Sequence, residues 1–64
     1  MKLGTRVKLA DTNLRGRICG TALVSRETEI LEFSVVLLDE GYWDEEHVIY
    51  SRLVVAHPDN LEVE

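Results

Sequence analysis

The stretch from Phe33 to Ala56 constrains the fold of this chain more than any other. It contains two long apolar runs, FSVVLLD and HVIYSRLVVA, joined by the acidic and aromatic connection EGYWDEE. Runs rich in β-branched and aromatic residues favour strands. Asp39-Glu40-Gly41 predicts a hairpin turn between them, because glycine adopts the left-handed conformation that such turns often need. The rest of the chain is expected to close this ribbon into a small barrel.

The second run also has features of a helix. Asp44 followed by two glutamates is typical of a helix N-terminus, and a helix over residues 45–54 would bring the apolar Ile49 and Leu53 onto one face. The β-branched and aromatic residues of the run favour a strand instead. Alternation along that strand puts Ile49, Leu53 and Val55 on one side. We predict the strand.

Further strands are expected before and after this ribbon. The five predicted strands cover residues 3–10, 17–25, 30–38, 47–56 and 61–64. Gly20 in the middle of strand 2 indicates a bulge or a bend. Pro58 cannot donate a ladder hydrogen bond, so residues 57–60 predict a turn of 3₁₀ helix before the last strand. The expected fold class is all-β, with five antiparallel strands in one domain over residues 1–64.

This arrangement of strands and turns resembles the SH3-like barrels, which include the Tudor, chromo-barrel and KOW-type domains. The resemblance is carried by Gly4-Thr5-Arg6-Val7, Gly16-Arg17-Ile18, Val35-Val36-Leu37-Leu38-Asp39-Glu40-Gly41 and Pro58-Asp59-Asn60-Leu61-Glu62. It covers nearly the whole chain. It implies a five-stranded antiparallel SH3-like barrel with a 3₁₀ turn before the last strand.

Strand 3 of this prediction is apolar on both of its faces. The face expected to form the core carries Leu31, Phe33, Val35 and Leu37. The other face begins with polar residues and continues as Val36 and Leu38. A strand that is apolar on both faces is covered on both, and a chain this short cannot supply both covers. We therefore predict that Val36 and Leu38 form a self-association surface and that the protein is a homo-oligomer, most simply a dimer.

Small size points to the same conclusion. A domain of 64 residues buries only ~60% of the surface that its unfolded chain exposes, so it needs additional stabilisation. The single Cys19 cannot form an internal disulfide, and Cys19, His47 and His57 lack the close paired spacing of a zinc site. We expect no metal and no cofactor, which leaves self-association as the source of that stabilisation.

Charge and hydropathy narrow the choice of partners. Residues 1–32 hold six basic and four acidic groups, whereas residues 33–64 hold one basic and eight acidic groups. An acidic chain is repelled by phosphate backbones, so we expect no nucleic-acid partner. No apolar run approaches the length of a membrane span, and the N-terminus leads directly into a strand pattern. We expect no membrane partner and a cytoplasmic location with Cys19 reduced.

One cluster of side chains suggests binding of a cation. The candidate residues are Tyr42, Trp43, Asp44, Glu45, Glu46, Tyr50 and His57. Aromatic faces beside carboxylates attract cations through the ring quadrupole and through charge. The resemblance to SH3 and Tudor barrels implies basic or Pro-rich peptides, or methylated side chains, as ligands. Alternatively, Tyr42 and Trp43 pack over an open end of the barrel or in a subunit contact.

Catalytic signatures are absent from the sequence: there is no Ser-His-acid motif and no glycine-rich phosphate loop. We expect no catalytic residue and no enzyme. One enzyme family of the same fold and size, the plasmid-borne type II dihydrofolate reductases, carries a "V-Q-I-Y-P" strand at its pore. Val54-Val55-Ala56-His57-Pro58 keeps the first Val and the Pro, and Val48-Ile49-Tyr50 keeps the Ile-Tyr. Neither keeps the Gln, so an oligomeric cofactor-binding enzyme is the alternative function and not the expected one.

Overall fold

The computed structural model describes residues 1–64 and is all-β, as the sequence predicts. Its elements are β1 (Arg6–Leu9), β2 (Arg15–Arg26), β3 (Glu29–Asp44), β4 (Ile49–Ala56), the 3₁₀ turn Pro58–Asn60, and β5 (Leu61–Val63). The five antiparallel strands and the 3₁₀ turn before the last strand are confirmed. The run from 49 to 56 is a strand and not a helix. The chain contains no helix with the length and apolar character needed to cross a membrane.

All five strands belong to one sheet, in the order β4-β3-β2-β1-β5. Each neighbouring pair is antiparallel. No ladder joins β4 to β5, so the sheet is not closed by hydrogen bonds. The expectation of a closed ribbon is therefore wrong at the level of backbone pairing, and β4 and β5 are the two edges of the sheet.

The β2–β3 ladder shifts its register at Cys19. Ile18 is paired with Val36, whereas Gly20 is paired with Val35, so Cys19 is the extra residue of a bulge and is exposed. The bulge predicted from Gly20 is confirmed. Gly16 is also required by this ladder, because a Cβ atom there would overlap the backbone of Leu37.

The hairpin turn lies further along the chain than the sequence indicates. β3 continues through Asp39-Glu40-Gly41 to Asp44, and the turn occupies residues 45–48. The β3–β4 ladder is irregular between Leu37 and Tyr42. Nε and Nη2 of Arg52 donate hydrogen bonds to the Leu38 carbonyl at 3.2 and 3.0 Å. Because these bonds satisfy a carbonyl within the irregular region, the extended chain passes through the predicted turn without reversing.

A small core lies on the side of the sheet that the sequence analysis assigned to the outside. Five buried apolar residues form the core: Val7, Ile18, Val36, Leu38 and Leu61. Val36 and Leu38 are both 0% exposed in the single chain. The prediction that Val36 and Leu38 face outward is wrong, because β1 and β5 supply Val7 and Leu61 to cover them. They are not available as a self-association surface in the folded chain.

The opposite side of β3 and β4 carries the residues that were predicted to be core. Val35 is the register partner of Val55, and Leu37 is the partner of Leu53. We call this side the outer face; it consists of Phe33, Val35, Leu37, Leu53 and Val55. Leu53 and Val55 are exposed, and the three β3 residues are half-buried.

Candidate functional site

Trp43 and Tyr50 form a cross-strand pair near the end of the β3–β4 hairpin. They are direct register partners and are 56% and 67% exposed. The Tyr50 ring lies against Gly41, where a Cβ atom would overlap it. Such aromatic pairs stabilise a sheet by roughly 0.2–1 kcal/mol. The two side chains are therefore neighbours on the sheet and remain accessible to a ligand.

Asp44 organises the turn that follows Trp43. Its Oδ1 accepts hydrogen bonds from the backbone N–H groups of Glu46 and His47, at 3.0 and 3.3 Å, and its Oδ2 lies 2.9 Å from Nδ1 of His47. The hydrogen bond from the His47 side chain, and next that from its backbone, lower the pKa of Asp44 below its ordinary value of 3.8. Both oxygens of Asp44 are thus engaged within the turn. Glu45 and Glu46 are exposed and are the acids that remain free for a ligand.

Tyr42 belongs to the core side of the molecule and not to this surface. It is half-buried, packs against the core cluster and is the register partner of Ser51. Its burial supports the alternative interpretation given above, in which Tyr42 packs over the barrel.

His57 lies at the other end of β4 from the aromatic pair. It lies seven positions after Tyr50 in the chain, which is roughly 23 Å at about 3.3 Å per strand residue. Nδ1 of His57 accepts a hydrogen bond from the backbone N–H of Asp59 at 3.1 Å and so caps the 3₁₀ turn. Its ring meets Phe33 edge-to-face, with ring centroids 5.9 Å apart. The structure does not bring His57 together with Trp43 and Tyr50.

The outer face is a second candidate binding surface, which the sequence analysis missed as a surface because it assigned these residues to the core. None of its five residues is charged. Two apolar cross-strand pairs, Val35 with Val55 and Leu37 with Leu53, form its centre. The signal for it was already present in the sequence, since β3 is apolar on both sides.

A polar cluster around Asp39 was also missed. Nη1 of Arg6 donates to Oδ1 of Asp39 at 2.7 Å, and Nη2 donates to Oδ2, so the pair is bidentate. The Arg6 hydrogen bonds, with smaller contributions from the charges of Arg17 and Arg52, lower the pKa of Asp39 below its ordinary value of 3.8. Arg6 is 33 residues from Asp39 in the chain, so no local pattern predicts the pair. The cluster fastens β1 to the irregular part of β3.

The remaining features of the surface are its possible metal-ligating side chains and two shallow depressions. No group of three or more His, Cys, Asp or Glu residues is placed to hold a metal ion. Two shallow surface depressions are present, and their lining is mostly polar: Asn13, Leu14, Arg15, Asp39, Glu40 and Gly41 in one, and Arg26, Glu27, Thr28 and Glu29 in the other. Neither depression includes the aromatic pair or the outer face.

Comparison with known proteins gives no relative: no family model matches the chain, and no curated protein or solved structure matches it. Function is therefore inferred from the geometry of the chain's own residues.

Proposed function

We propose that this protein is a non-enzymatic interaction module of SH3-like architecture, in the manner of Tudor and KOW-type domains, and that it self-associates through its outer face. The observation that carries the proposal is the uncharged outer face of Phe33, Val35, Leu37, Leu53 and Val55, which the single chain leaves in contact with water. Contiguous apolar surface of this kind marks interaction sites in soluble proteins.

A second copy is the occupant that suits this face. Only 7 of 64 residues are buried in the single chain, and domains of this size commonly gain stability by oligomerisation. Two sheets packed face to face at ~10 Å form a sandwich whose interior is apolar. A standard interface of ~800 Å² per partner would cover about one sixth of the 4883 Å² surface. The same patch on both copies gives a closed two-fold dimer.

Charge also favours the outer face over other faces of the molecule as the contact between two copies. The chain carries a net charge of −5, so two copies repel one another through most of their surfaces. The five residues of the outer face are uncharged, and the charged residue next to them in the ladder is Arg17, the register partner of Leu37. Pairing of the five residues therefore brings no carboxylate of their own into a dry contact. We also propose a cytoplasmic location, in keeping with the single exposed Cys19.

Sedimentation equilibrium at micromolar concentration tests this proposal. We expect a mass above the 7.3 kDa of one chain. Val55→Lys should dissociate the oligomer and keep the β-sheet circular dichroism, because Val55 is exposed in the single chain. Leu23→Lys is the matched control: Leu23 is an exposed apolar residue outside the outer face, and its substitution should leave the mass unchanged. A 7.3 kDa species for the unaltered protein, or equal effects of both substitutions, overturns the proposal.

A second function, recognition of a cationic protein segment, is favoured by the exposed Trp43–Tyr50 pair beside Glu45 and Glu46. Trp43 is the only tryptophan, so its fluorescence reports binding directly. We expect a basic peptide to change the emission and the effect to weaken with salt, because exposed charges are screened. Binding that does not depend on salt contradicts this function. NADPH, the probe of the cofactor-enzyme alternative, should leave the emission unchanged at millimolar concentration.

A further inference from the structure

The two edges of the sheet differ in how well they are protected against strand pairing. β5 is three residues long, and Glu62 lies within it. Short, charged edge strands resist pairing with other chains. β4 is eight residues long, contains no proline and has Arg52 as its single charged residue. By the same criteria, the β4 edge is unprotected.

The charged side chain of Arg52 does not protect the β4 edge against pairing with another strand. Its guanidinium points back to β3, where Nη2 donates to the carbonyl of Leu38 at 3.0 Å and contacts the Asp39 carbonyl at 3.4 Å. The only other side-chain hydrogen bond of β4 runs within the strand, from Oγ of Ser51 to the carbonyl of Leu53 at 3.1 Å. β4 pairs with β3 alone, so the backbone groups along its other edge have no strand partner.

The side chains of β4 supply an apolar surface along the same edge. Four of its eight residues are large, apolar or aromatic, and exposed: Ile49, Tyr50, Leu53 and Val55. A strand added to an edge gains affinity from main-chain hydrogen bonds and specificity from pockets between alternate side chains. β4 offers both.

Acidic groups lie at both ends of β4 and define the chemistry of the partner. Glu45 and Glu46 precede the strand in the turn, and both are exposed. Asp59 follows it in the 3₁₀ turn, with a side chain that is almost fully exposed. Arg52 lies midway and is engaged by β3 carbonyls. An extended segment lying along β4 would therefore meet negative charge at each of its ends.

We propose that the free edge of β4 receives an extended cationic segment of another protein as a sixth strand of the sheet. The segment pairs with the backbone of residues 49–55, its central side chains pack against Tyr50 and Leu53, and its basic ends meet the acids that flank the strand. This inference rests on the proposed recognition of a cationic segment and adds how that segment is held. Leu53 and Val55 belong both to this edge strand and to the outer face, so strand addition and self-association share these two side chains.

Three peptides with identical side chains test the proposal. The probe is Lys-Arg-Thr-Val-Thr-Val-Thr-Arg-Lys, and its matched control carries backbone N-methyl groups on alternate central residues, which remove the N–H donors of one edge. Methyl groups on the complementary residues form a second control. Calorimetry should give at least a tenfold loss of affinity for one of the two methylated peptides. Equal affinity of all three overturns strand addition and leaves cation recognition standing, whereas failure of the unmodified peptide to bind overturns both.

Amide hydrogen exchange locates the added strand. With the unmodified peptide, exchange should slow at least tenfold at β4 amides that do not pair with β3, and β5 is the internal reference that should not change. Protection at β5, or at neither edge, overturns the proposal. Protection of β4 that rises with protein concentration and without peptide identifies a second copy as the occupant of this edge, which also overturns it.

Discussion

The inner and outer sides of β3 have nearly the same composition, but they differ in how far they are buried. Val36 and Leu38 on the inner side are 0% exposed, and they pack against Val7, Ile18 and Leu61. Val35 and Leu37 on the outer side pair with Val55 and Leu53 of β4 and stay in contact with water. The difference arises because β1 and β5 cross one side of the sheet only.

Under the proposed function, the small chain divides its apolar residues between folding and binding. Apolar surface removed from water contributes ~25 cal/mol per Å² wherever it is buried. The inner side obtains that contribution within one chain, and the outer side would obtain the remainder of it only in the proposed oligomer. Substitutions at matched positions on the two sides should therefore affect different measurements.

The largest difference is expected between Val36→Asp and Val35→Asp. A carboxylate at position 36 has no solvent and no partner, and its cost of about 4–5 kcal/mol or more is comparable with the whole stability of ~3–10 kcal/mol for 64 residues. We expect Val36→Asp to be unfolded by circular dichroism. Val35→Asp should remain folded and lose self-association in sedimentation equilibrium. Unfolding of both, or of neither, would remove the distinction between the two sides.

Truncating a side chain to alanine should also lower the free energy of unfolding more on the inner side than on the outer side, with smaller effects than a charge has. Leu38→Ala leaves a cavity in a closed core and should cost about 2–5 kcal/mol. Leu37→Ala removes a half-buried side chain and should cost about 1 kcal/mol at protein concentrations where the chain is monomeric. Urea unfolding followed by Trp43 fluorescence measures both. A greater loss for Leu37→Ala would mean that the outer face is a core within the single chain.

A substitution in the hairpin turn should change the melting temperature without altering either side of the sheet. Val48 has a φ of 54°, a left-handed conformation that costs a β-branched residue about 1–2 kcal/mol. Val48→Gly should relieve that strain and raise the melting temperature by roughly 4–8 °C per kcal/mol gained. Val48→Ala, which keeps a Cβ atom, is the control and should gain less. Equal gains would show that side-chain bulk matters here and backbone conformation does not.

The smallest effect is expected at Asp39, in the polar cluster that joins β1 to the irregular part of β3. The Arg6 hydrogen bonds lower the pKa of Asp39 below 3.8, so the folded chain holds the charged form more strongly than the unfolded chain does. The resulting stabilisation is fully present above pH 3.8 and is lost as the pH falls through the lowered pKa.

Asp39→Asn should therefore reduce the melting temperature at pH 7. The reduction should be slight, because exposed ion pairs contribute little. The difference in melting temperature from the unaltered protein should shrink in acid. Glu40→Gln neutralises the neighbouring exposed acid, which makes no ion pair, and should show no such shrinkage. A difference for Asp39→Asn that is constant with pH would mean that the ion pair does not stabilise the fold.

Local sequence was sufficient for the strands and for several of their details. Ile49, Tyr50 and Val54 favour a strand through their branched or aromatic side chains, and residues 49–56 form one. The bulge near Gly20 and the 3₁₀ turn at Pro58 were predicted from backbone chemistry alone. These features depend on residues within one or two turns of the chain, and so the sequence encodes them directly.

The hairpin turn was placed too early because its position depends on a distant residue. Gly41 is compatible with a turn, yet Arg52 donates to the Leu38 carbonyl and supports an extended chain through that region. Of the candidate binding residues, Trp43 and Tyr50 are paired as neighbours, whereas Tyr42 joins the core side and His57 caps another element. Composition identified the aromatic residues but not which of them share a surface.

The sequence by itself determined that the chain is all-β, that β3 is apolar on both sides, and that aromatic and acidic residues meet near one hairpin. Only the tertiary structure decided which side of β3 is the core and which edge of the sheet is left open. The physical reason is that alternation with period two divides a strand into two faces without ranking them. The ranking comes from β1 and β5, which are distant from β3 in sequence and reach one of its sides when the sheet coils.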